Sequence, residues 1–315
     1  MKNTIFLVHK GAPKYLKTSI NSILRSNSDC EIILIGDESN SKLSGVCHCH
    51  IKEVKDLAEN FSKVYSHLSP NNYDYELFCI CRWFYILEYM KENNIEKGYY
   101  QDSDVILNCD ISSLFSENKY LYCFDSGHTS CFTYKQLESL CDFIVDMYIN
   151  RFDELKEIYM MKKKNNQGEG ISDMTLISLF AFDNETRVRD LSLRCNNSIF
   201  DHNLNCSDGY LTVYNKKIIF SINGDIMVKD IKVNKYVRLN SIHFQGDSKR
   251  YMENVFYYPD KIGMFYFDYY LGKWKEFVAS NFKKSESHNA LIMVKDIMYK
   301  IVKKIEVIKS FKNFK

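Results

Sequence analysis

Several features that would assign a chain to a common class are missing here. Among the 315 residues, 42 basic residues nearly balance 40 acidic ones, which argues against a general nucleic-acid binder. No apolar run approaches the roughly 18 residues of a membrane-spanning helix. The sequence also lacks a P-loop, a hydrolase nucleophile elbow and a complete dinucleotide-binding fingerprint. From these absences we expect neither a general nucleic-acid binder nor a membrane-spanning protein.

The N-terminal residues do not match the pattern of a secretion signal. The apolar run at the N-terminus ends at His9 and Lys10, which is too short for the apolar core of a signal peptide. The 11 cysteines include several within apolar stretches, where cysteine acts as a small hydrophobic residue. We therefore expect reduced cysteines and a cytoplasmic protein.

Short apolar runs alternate with amphipathic stretches along the first half of the chain. Strands are predicted at 4–9, 31–35, 98–101 and 121–124, and helices after Pro13 and at 54–68, 75–93, 134–149 and 172–181. A polar loop is predicted at 162–170, and short β-type runs from 187 to 240. This order indicates an α/β fold whose mostly parallel sheet is flanked by helices. Ligands bind such sheets at the carboxyl ends of the strands.

Polar residues follow the predicted strands at these carboxyl ends. Asp37 follows the second strand, and Asp102, Ser103 and Asp104 follow the strand at 98–101. Two carboxylates at this spacing can hold a divalent cation, manganese or magnesium, which would stabilise the charge of a departing diphosphate. An Asp-x-Asp pattern alone often marks only a turn, but the apolar residues on both sides and the sheet pattern favour a metal site.

A second motif, at 242–249, lies far along the chain. His243 could complete the metal shell, although a lone histidine is more often a structural hydrogen-bonding group. Gly246 would allow the backbone to approach a phosphate, and Lys249 would place a positive charge on it. The two motifs together are much more specific than either alone.

Both motifs resemble those of family-8-like GT-A glycosyltransferases, a group that includes bacterial galactosyl- and glucosyltransferases. The resemblance extends from about residue 3 to about residue 255 and is strongest at 81–90, 99–110 and 243–249. It implies a GT-A (Rossmann-like) fold and transfer of a hexose from a nucleotide sugar, expected to be a UDP sugar, to a saccharide acceptor. Arg250 and Tyr251 replace the Pro-Trp that follows the late lysine in this group, which leaves the sugar and the stereochemistry open.

The resemblance also implies roles for individual residues. The metal ligands would be Asp102, Asp104 and His243. Contacts to the donor would come from Val8, His9, Gly11, Asp37, Arg82, Asp102, Ser103, Gln245, Gly246 and Lys249. Candidate catalytic carboxylates are Asp125, which is equally well explained as a structural cap, and Asp173.

Three other positions have competing interpretations. Arg82 lies in an apolar helix segment, so donor contact competes with a salt bridge to a core carboxylate and with surface exposure. The alternation in 47–50, Cys-His-Cys-His, favours a short edge strand over a metal knuckle. The polar cluster 201–203 favours a turn.

We expect a glycosyltransferase domain at 1–265 and a C-terminal helical extension at 266–315. From about Ala290 the pattern is that of a basic amphipathic helix, which suits an anionic membrane surface; packing on the domain or on a partner subunit is the alternative. The expected setting is polysaccharide or lipopolysaccharide O-antigen assembly, peripheral to the inner face of the cytoplasmic membrane. Competing functions are a sugar-nucleotide pyrophosphorylase-like nucleotidyltransferase and a non-catalytic glycan-binding or scaffold protein.

Removing residues 290–315 should weaken binding to anionic lipid vesicles at least about tenfold, because each lysine near such a surface contributes about 1 kcal/mol. Activity on a soluble acceptor should be unchanged. Vesicle cosedimentation measures the effect, with neutral vesicles as the control. Equal binding by the full and shortened chains would rule out a membrane-binding tail.

Overall fold

A computed structural model describes residues 2–123, 126–165 and 170–277. The chain divides into two units. The first contains residues 1–194, 200–202 and 240–243, and the second contains residues 195–199, 203–239 and 244–315. The predicted basic tail and Asp125 therefore lie outside the described residues.

The first unit contains a seven-stranded sheet of order β3-β2-β1-β4-β7-β6-β8. The strands up to β8 are β1 (Asn3–His9), β2 (Cys30–Gly36), β3 (Cys47–His50), β4 (Lys97–Gln101), β5 (Val105–Leu107), β6 (Tyr120–Cys123), β7 (Ser126–Thr133) and β8 (Val188–Asp190). From β3 to β4 neighbouring strands are parallel, as are β6 and β8, whereas β7 is antiparallel to both β4 and β6. The sheet is therefore mostly parallel, as predicted.

Helices cover both faces of this sheet. They are α1 (Lys14–Ser26), α2 (Asp56–Ser62), α3 (Tyr73–Glu92), α4 (Tyr134–Ile149), α5 (Phe152–Lys164) and α6 (Asp173–Asp183). Alternate residues of β1 show the arrangement, because Ile5 and Leu7 pack in one cluster with Leu16 of α1, whereas the ring of Phe6 meets Tyr89 of α3. Residues 4–8 are consequently all buried, which explains the uninterrupted apolar run of β1.

The second unit is mainly antiparallel. Strand β9 begins in this unit. From β9 onward the elements are β9 (Ser198–Phe200), β10 (Thr212–Val213), β11 (Lys216–Lys217), β12 (Phe220–Ile222), β13 (Asp225–Asp230), β14 (Lys235–His243), α7 (Met252–Phe256), β15 (Met264–Asp268) and β16 (Lys273–Glu276). Strands β16, β15, β12, β13 and β14 follow one another in its sheet. Residues 240–243 of β14 belong to the first unit, where residues 241–243 pair antiparallel with β5.

The predicted fold class is confirmed, since the structure is α/β with a mostly parallel, helix-flanked sheet. The interpretation of 47–50 as an edge strand is also correct, because β3 ends the strand order. Within the part of the chain that the structure describes, no helix has the length and apolarity needed to cross a membrane.

Three local predictions differ from the structure. The helix predicted at 54–68 covers only Asp56–Ser62, after a short 3-10 helix at Ile51–Glu53. Helix α5 was not predicted, and it extends into the predicted loop, since Lys162, Lys163 and Lys164 form its last turn, where positive charge stabilises a helix. Strands β15 and β16 form where the helical extension was predicted to begin; the domain boundary at residue 265 stays a prediction.

Replacing Gly127 of β7 by alanine should destabilise the fold by about 1–3 kcal/mol, the usual cost of overpacking a core. An added Cβ would lie 2.3 Å from Trp83 and 2.6 Å from Ile177, and the Trp83 ring is fully buried. Urea unfolding measures the loss. A double variant with Trp83→Phe should lose less than the sum of the two single variants, because the clashing ring atoms are removed; strict additivity would contradict this packing.

Candidate metal centre and active site

The turn after β4 positions the two aspartates of the Asp-x-Asp motif. The Asp102 amide donates to the carbonyl of His128 (2.8 Å), which extends the β4–β7 pairing by one residue. The Val105 amide then donates to the Asp102 carbonyl (3.1 Å), which closes a tight turn before β5. Asp104 is buried and Asp102 is partly exposed, so both carboxylates are fixed at the carboxyl end of β4.

Strand pairing brings His243 to these carboxylates. His243 lies opposite Val105 in the antiparallel pairing of β14 with β5, directly beside Asp104. One ligand atom from each of Asp102, Asp104 and His243 lies within 4.8 Å of the others, and His243 Nε2 is 3.6 Å from Asp104 Oδ1. The structure therefore brings together the three residues predicted as metal ligands.

This ligand set fits a hard or borderline divalent cation. Carboxylate oxygens suit magnesium and manganese, and a neutral imidazole nitrogen suits manganese. His243 Nδ1 lies 2.7 Å from the carbonyl oxygen of His202, and because a carbonyl only accepts, Nδ1 carries the proton. In the neutral ring the lone pair is then on Nε2, the atom that faces Asp104.

Arg82 of α3 ties Asp102 to the core. Its Nη1 donates to Asp102 Oδ1 (2.5 Å) and to the Tyr100 hydroxyl (2.6 Å), which itself donates to Asp102. Burial raises the pKa of Asp102, but the Arg82 guanidinium and the hydrogen bond from the Tyr100 hydroxyl outweigh it and lower this pKa to about 2. Asp102 is thus ionised at neutral pH, and Arg82 forms the salt bridge that was the alternative to donor contact.

Asp173, a predicted catalytic carboxylate, lies on the other side of Arg82. It is the first residue of α6, and its Oδ2 is 3.5 Å from Arg82 Nη2. Burial raises the pKa of Asp173 to about 6; Arg82 opposes this effect and the charge of Asp102 adds to it. This carboxyl can therefore carry or accept a proton near neutral pH, while its catalytic role stays a prediction.

The residues predicted to bind the donor at the first strands also lie together. The amide of Gly11, whose φ of 89° suits glycine, donates to Asp37 Oδ2 (2.9 Å). Ser103 Oγ is hydrogen-bonded to His9 Nδ1 (3.0 Å), which joins the end of β1 to the turn of the Asp-x-Asp motif. Val8 is buried in the core, so only its backbone is suited to ligand contact.

Gln245, Gly246 and Lys249 belong to the second unit. Gly246 has a φ of 64° and begins the 3-10 helix Gly246–Tyr251, whose last turn contains Lys249. Gln245 accepts hydrogen bonds from Asn203, at its side chain, and from Asn205, at its backbone oxygen. A contact of these residues with a diphosphate stays a prediction.

Two supports of the site were missed in the sequence. Tyr100 was treated only as a strand residue, although strand alternation places it on the same side as Asp102. The cluster 201–203 was assigned to a turn, but the Asp201 carboxylate is fully buried and accepts from the His243 amide (3.2 Å). A polar cluster between two strands was the available signal.

Comparisons with known proteins support no family assignment. No protein-family model and no curated protein matches the chain. Solved structures with a similar fold include mouse xyloside xylosyltransferase 1 (9% identity, TM-score 0.46, 63% of this chain and 88% of that one). Others are the WbbM bifunctional glycosyltransferase (12%, 0.45, 79% and 47%) and the galactosyltransferase LgtC, solved with donor and acceptor sugar analogues (11%, 0.41, 78% and 87%).

All three are glycosyltransferases, the class that the sequence resemblance predicts. The chain spans less than half of WbbM but most of the other two. Because the identities do not exceed 12% and the TM-scores do not exceed 0.46, the case for function depends on the geometry of the site.

The Asp173→Asn variant should be more stable than the wild type at neutral pH in the presence of a chelator. The pKa of Asp173 is about 6 in the folded protein, whereas the ordinary value for this carboxyl is 3.8, so its favourable contribution to stability is complete below pH 3.8. This contribution is lost as the pH rises through the folded-state pKa of about 6. Above that pH, the difference in stability between Asp173→Asn and the wild type should approach about 3 kcal/mol.

Urea unfolding between pH 4 and pH 8 measures this difference. The exposed Asp153, whose side chain is 92% exposed, offers Asp153→Asn as a matched control that should show no such trend. An Asp173→Asn advantage that shrinks as the pH rises would contradict the raised pKa.

Proposed function

We propose that this chain is a metal-dependent glycosyltransferase that moves a hexose from a nucleotide sugar, a UDP sugar, to a saccharide acceptor. One observation carries the proposal. Asp102, Asp104 and His243 converge within 4.8 Å at the carboxyl end of β4, in a mostly parallel sheet where ligands bind at strand ends. Manganese or magnesium is the cation that this ligand set suits.

A bound cation would act as a Lewis acid on the diphosphate leaving group. Asp102, Asp104 and His243 would hold it, and Arg82 would keep Asp102 ionised and oriented through its 2.5 Å contact. The fixed Nδ1 proton of His243 keeps the Nε2 lone pair available. The protein's contribution is thus a preorganised anionic site, which needs no rearrangement when the diphosphate departs.

The donor and the acceptor would occupy different parts of the site. His9, Gly11, Asp37 and Ser103 lie at the ends of β1, β2 and β4, where the nucleotide would bind. Asp173, with its pKa raised to about 6, is the described carboxylate suited to take a proton from an acceptor hydroxyl. In the second unit, Lys249 is proposed to contact the diphosphate.

The proposed acceptor is a saccharide or a lipid-linked glycan. Assembly of a polysaccharide, such as the O-antigen of a lipopolysaccharide, would place the enzyme at the inner face of the cytoplasmic membrane. The basic residues proposed to bind that surface lie outside the described part of the chain. A nucleotidyltransferase is the competing reaction, and release of pyrophosphate from a nucleoside triphosphate would identify it.

The Asp104→Asn variant should lose at least about 100-fold of manganese-dependent hydrolysis of a nucleotide sugar, because cation stabilisation of the leaving group contributes several kcal/mol. Asp104 is buried beside His243, and asparagine keeps its shape while removing its charge. Release of the nucleoside diphosphate is measured for a panel of nucleotide sugars with and without manganese.

The Asp153→Asn variant makes the same chemical change at a residue that is 92% exposed, and it should retain full activity. A wild-type chain that neither binds nor hydrolyses any nucleotide sugar would favour a non-catalytic glycan-binding protein. Equal turnover by Asp104→Asn and the wild type would remove the metal assignment.

A further inference from the structure

The imidazole of His243 lies face to face with a second imidazole. The rings of His128 and His243 have centroids 4.1 Å apart and planes inclined by 18°. Both side chains are buried, with 2% and 5% of His128 and His243 exposed. His128 is therefore a packing partner of the metal ligand and does not line an open pocket.

The hydrogen bonds of His128 define its protonation. Its Nε2 lies 3.1 Å from the backbone oxygen of Asp201, and because a carbonyl only accepts, Nε2 carries a proton. In the neutral ring Nδ1 is then the acceptor, and it accepts from the Ser126 hydroxyl (3.0 Å).

Asp201 connects the two rings. Its backbone oxygen accepts from His128 Nε2, while its carboxylate accepts from the backbone amide of His243 (3.2 Å). The next carbonyl, that of His202, accepts from His243 Nδ1 (2.7 Å). His243 is consequently held at its backbone, at one ring nitrogen and over one ring face, and only Nε2 is directed toward Asp104 (3.6 Å).

We infer that His128 is a positioning residue that fixes the ring of His243 for metal binding, by stacking on it and by anchoring Asp201. This inference rests on the proposed metal-dependent function. A neutral ring suits the place, because a second positive charge against a metal-bound imidazole would be repulsive. A residue that orients a metal-ligating histidine typically changes metal affinity 10–100-fold when it is replaced.

Two variants separate the contributions of stacking and hydrogen bonding. His128→Ala removes both and should raise the dissociation constant for manganese alone at least about tenfold. His128→Phe keeps a flat ring over His243 but loses the donor to Asp201, so its loss should be smaller. Electron paramagnetic resonance of free manganese measures binding to the full chain, and pulsed measurements detect the coupling of bound manganese to the imidazole nitrogen.

Ser130→Ala is the matched control, because Ser130 lies in the same strand, is fully buried, and donates to the Gly127 carbonyl. It should bind manganese as the wild type does. Circular dichroism and thermal unfolding verify that each variant is folded. If His128→Ala does not fold, the test depends on His128→Phe. This variant should still bind manganese more weakly than the wild type, because it loses the hydrogen bond to the Asp201 backbone oxygen.

Weaker manganese binding by a folded His128 variant, with a reduced nitrogen coupling, supports the inference. Dissociation constants within twofold of the wild type, with the coupling intact, would overturn it and leave the proposed function standing. Absence of manganese binding by the wild type would instead overturn the proposed metal site, and with it the role assigned to His128.

Discussion

The pairing of β5 with the end of β14 is the constraint on which the candidate site depends. Ser241, Ile242 and His243 lie opposite Leu107, Ile106 and Val105, so the backbone ladder sets the position of a candidate metal ligand that is remote in the sequence from the two aspartates. A shift of the pairing by one residue would turn His243 to the other face of the strand. The buried contacts of His243 with Asp201 and His202 are specific to the observed register.

The site contains more carboxylates than positively charged side chains, and this excess of negative charge favours a cation. Arg82 is the positive partner of two carboxylates, Asp102 and Asp173, and Asp104 lies next to the imidazole of His243. Burial, with the charge of Asp102 adding to it, raises the pKa of Asp173 to about 6 against the opposing effect of Arg82. A divalent cation held by Asp102, Asp104 and His243 would offset the remaining negative charge.

Elements with a local sequence pattern could be predicted from the sequence alone. Strand β1 was predicted from an apolar run, and helix α4 was predicted within its observed bounds. The candidate metal ligands were proposed from a resemblance of motifs, since no local pattern predicts that β5 and β14 pair. His128 and Asp201 could not be assigned because their roles depend on contacts between distant strands, and α5 was missed because its polar last turn resembles a loop.

The hydrogen bonds of Arg82 limit how it could also bind a donor. A guanidinium has five N–H groups; in Arg82, Nε donates to the Cys79 carbonyl, Nη1 to Tyr100 and Asp102, and Nη2 pairs with Asp173. One Nη2 hydrogen of Arg82 therefore remains to contact a ligand. Any further contact between Arg82 and a ligand would have to replace one of its existing contacts. Because breaking the contact with Asp102 would release a carboxylate of the proposed metal site, the exchange most consistent with the geometry is at Asp173.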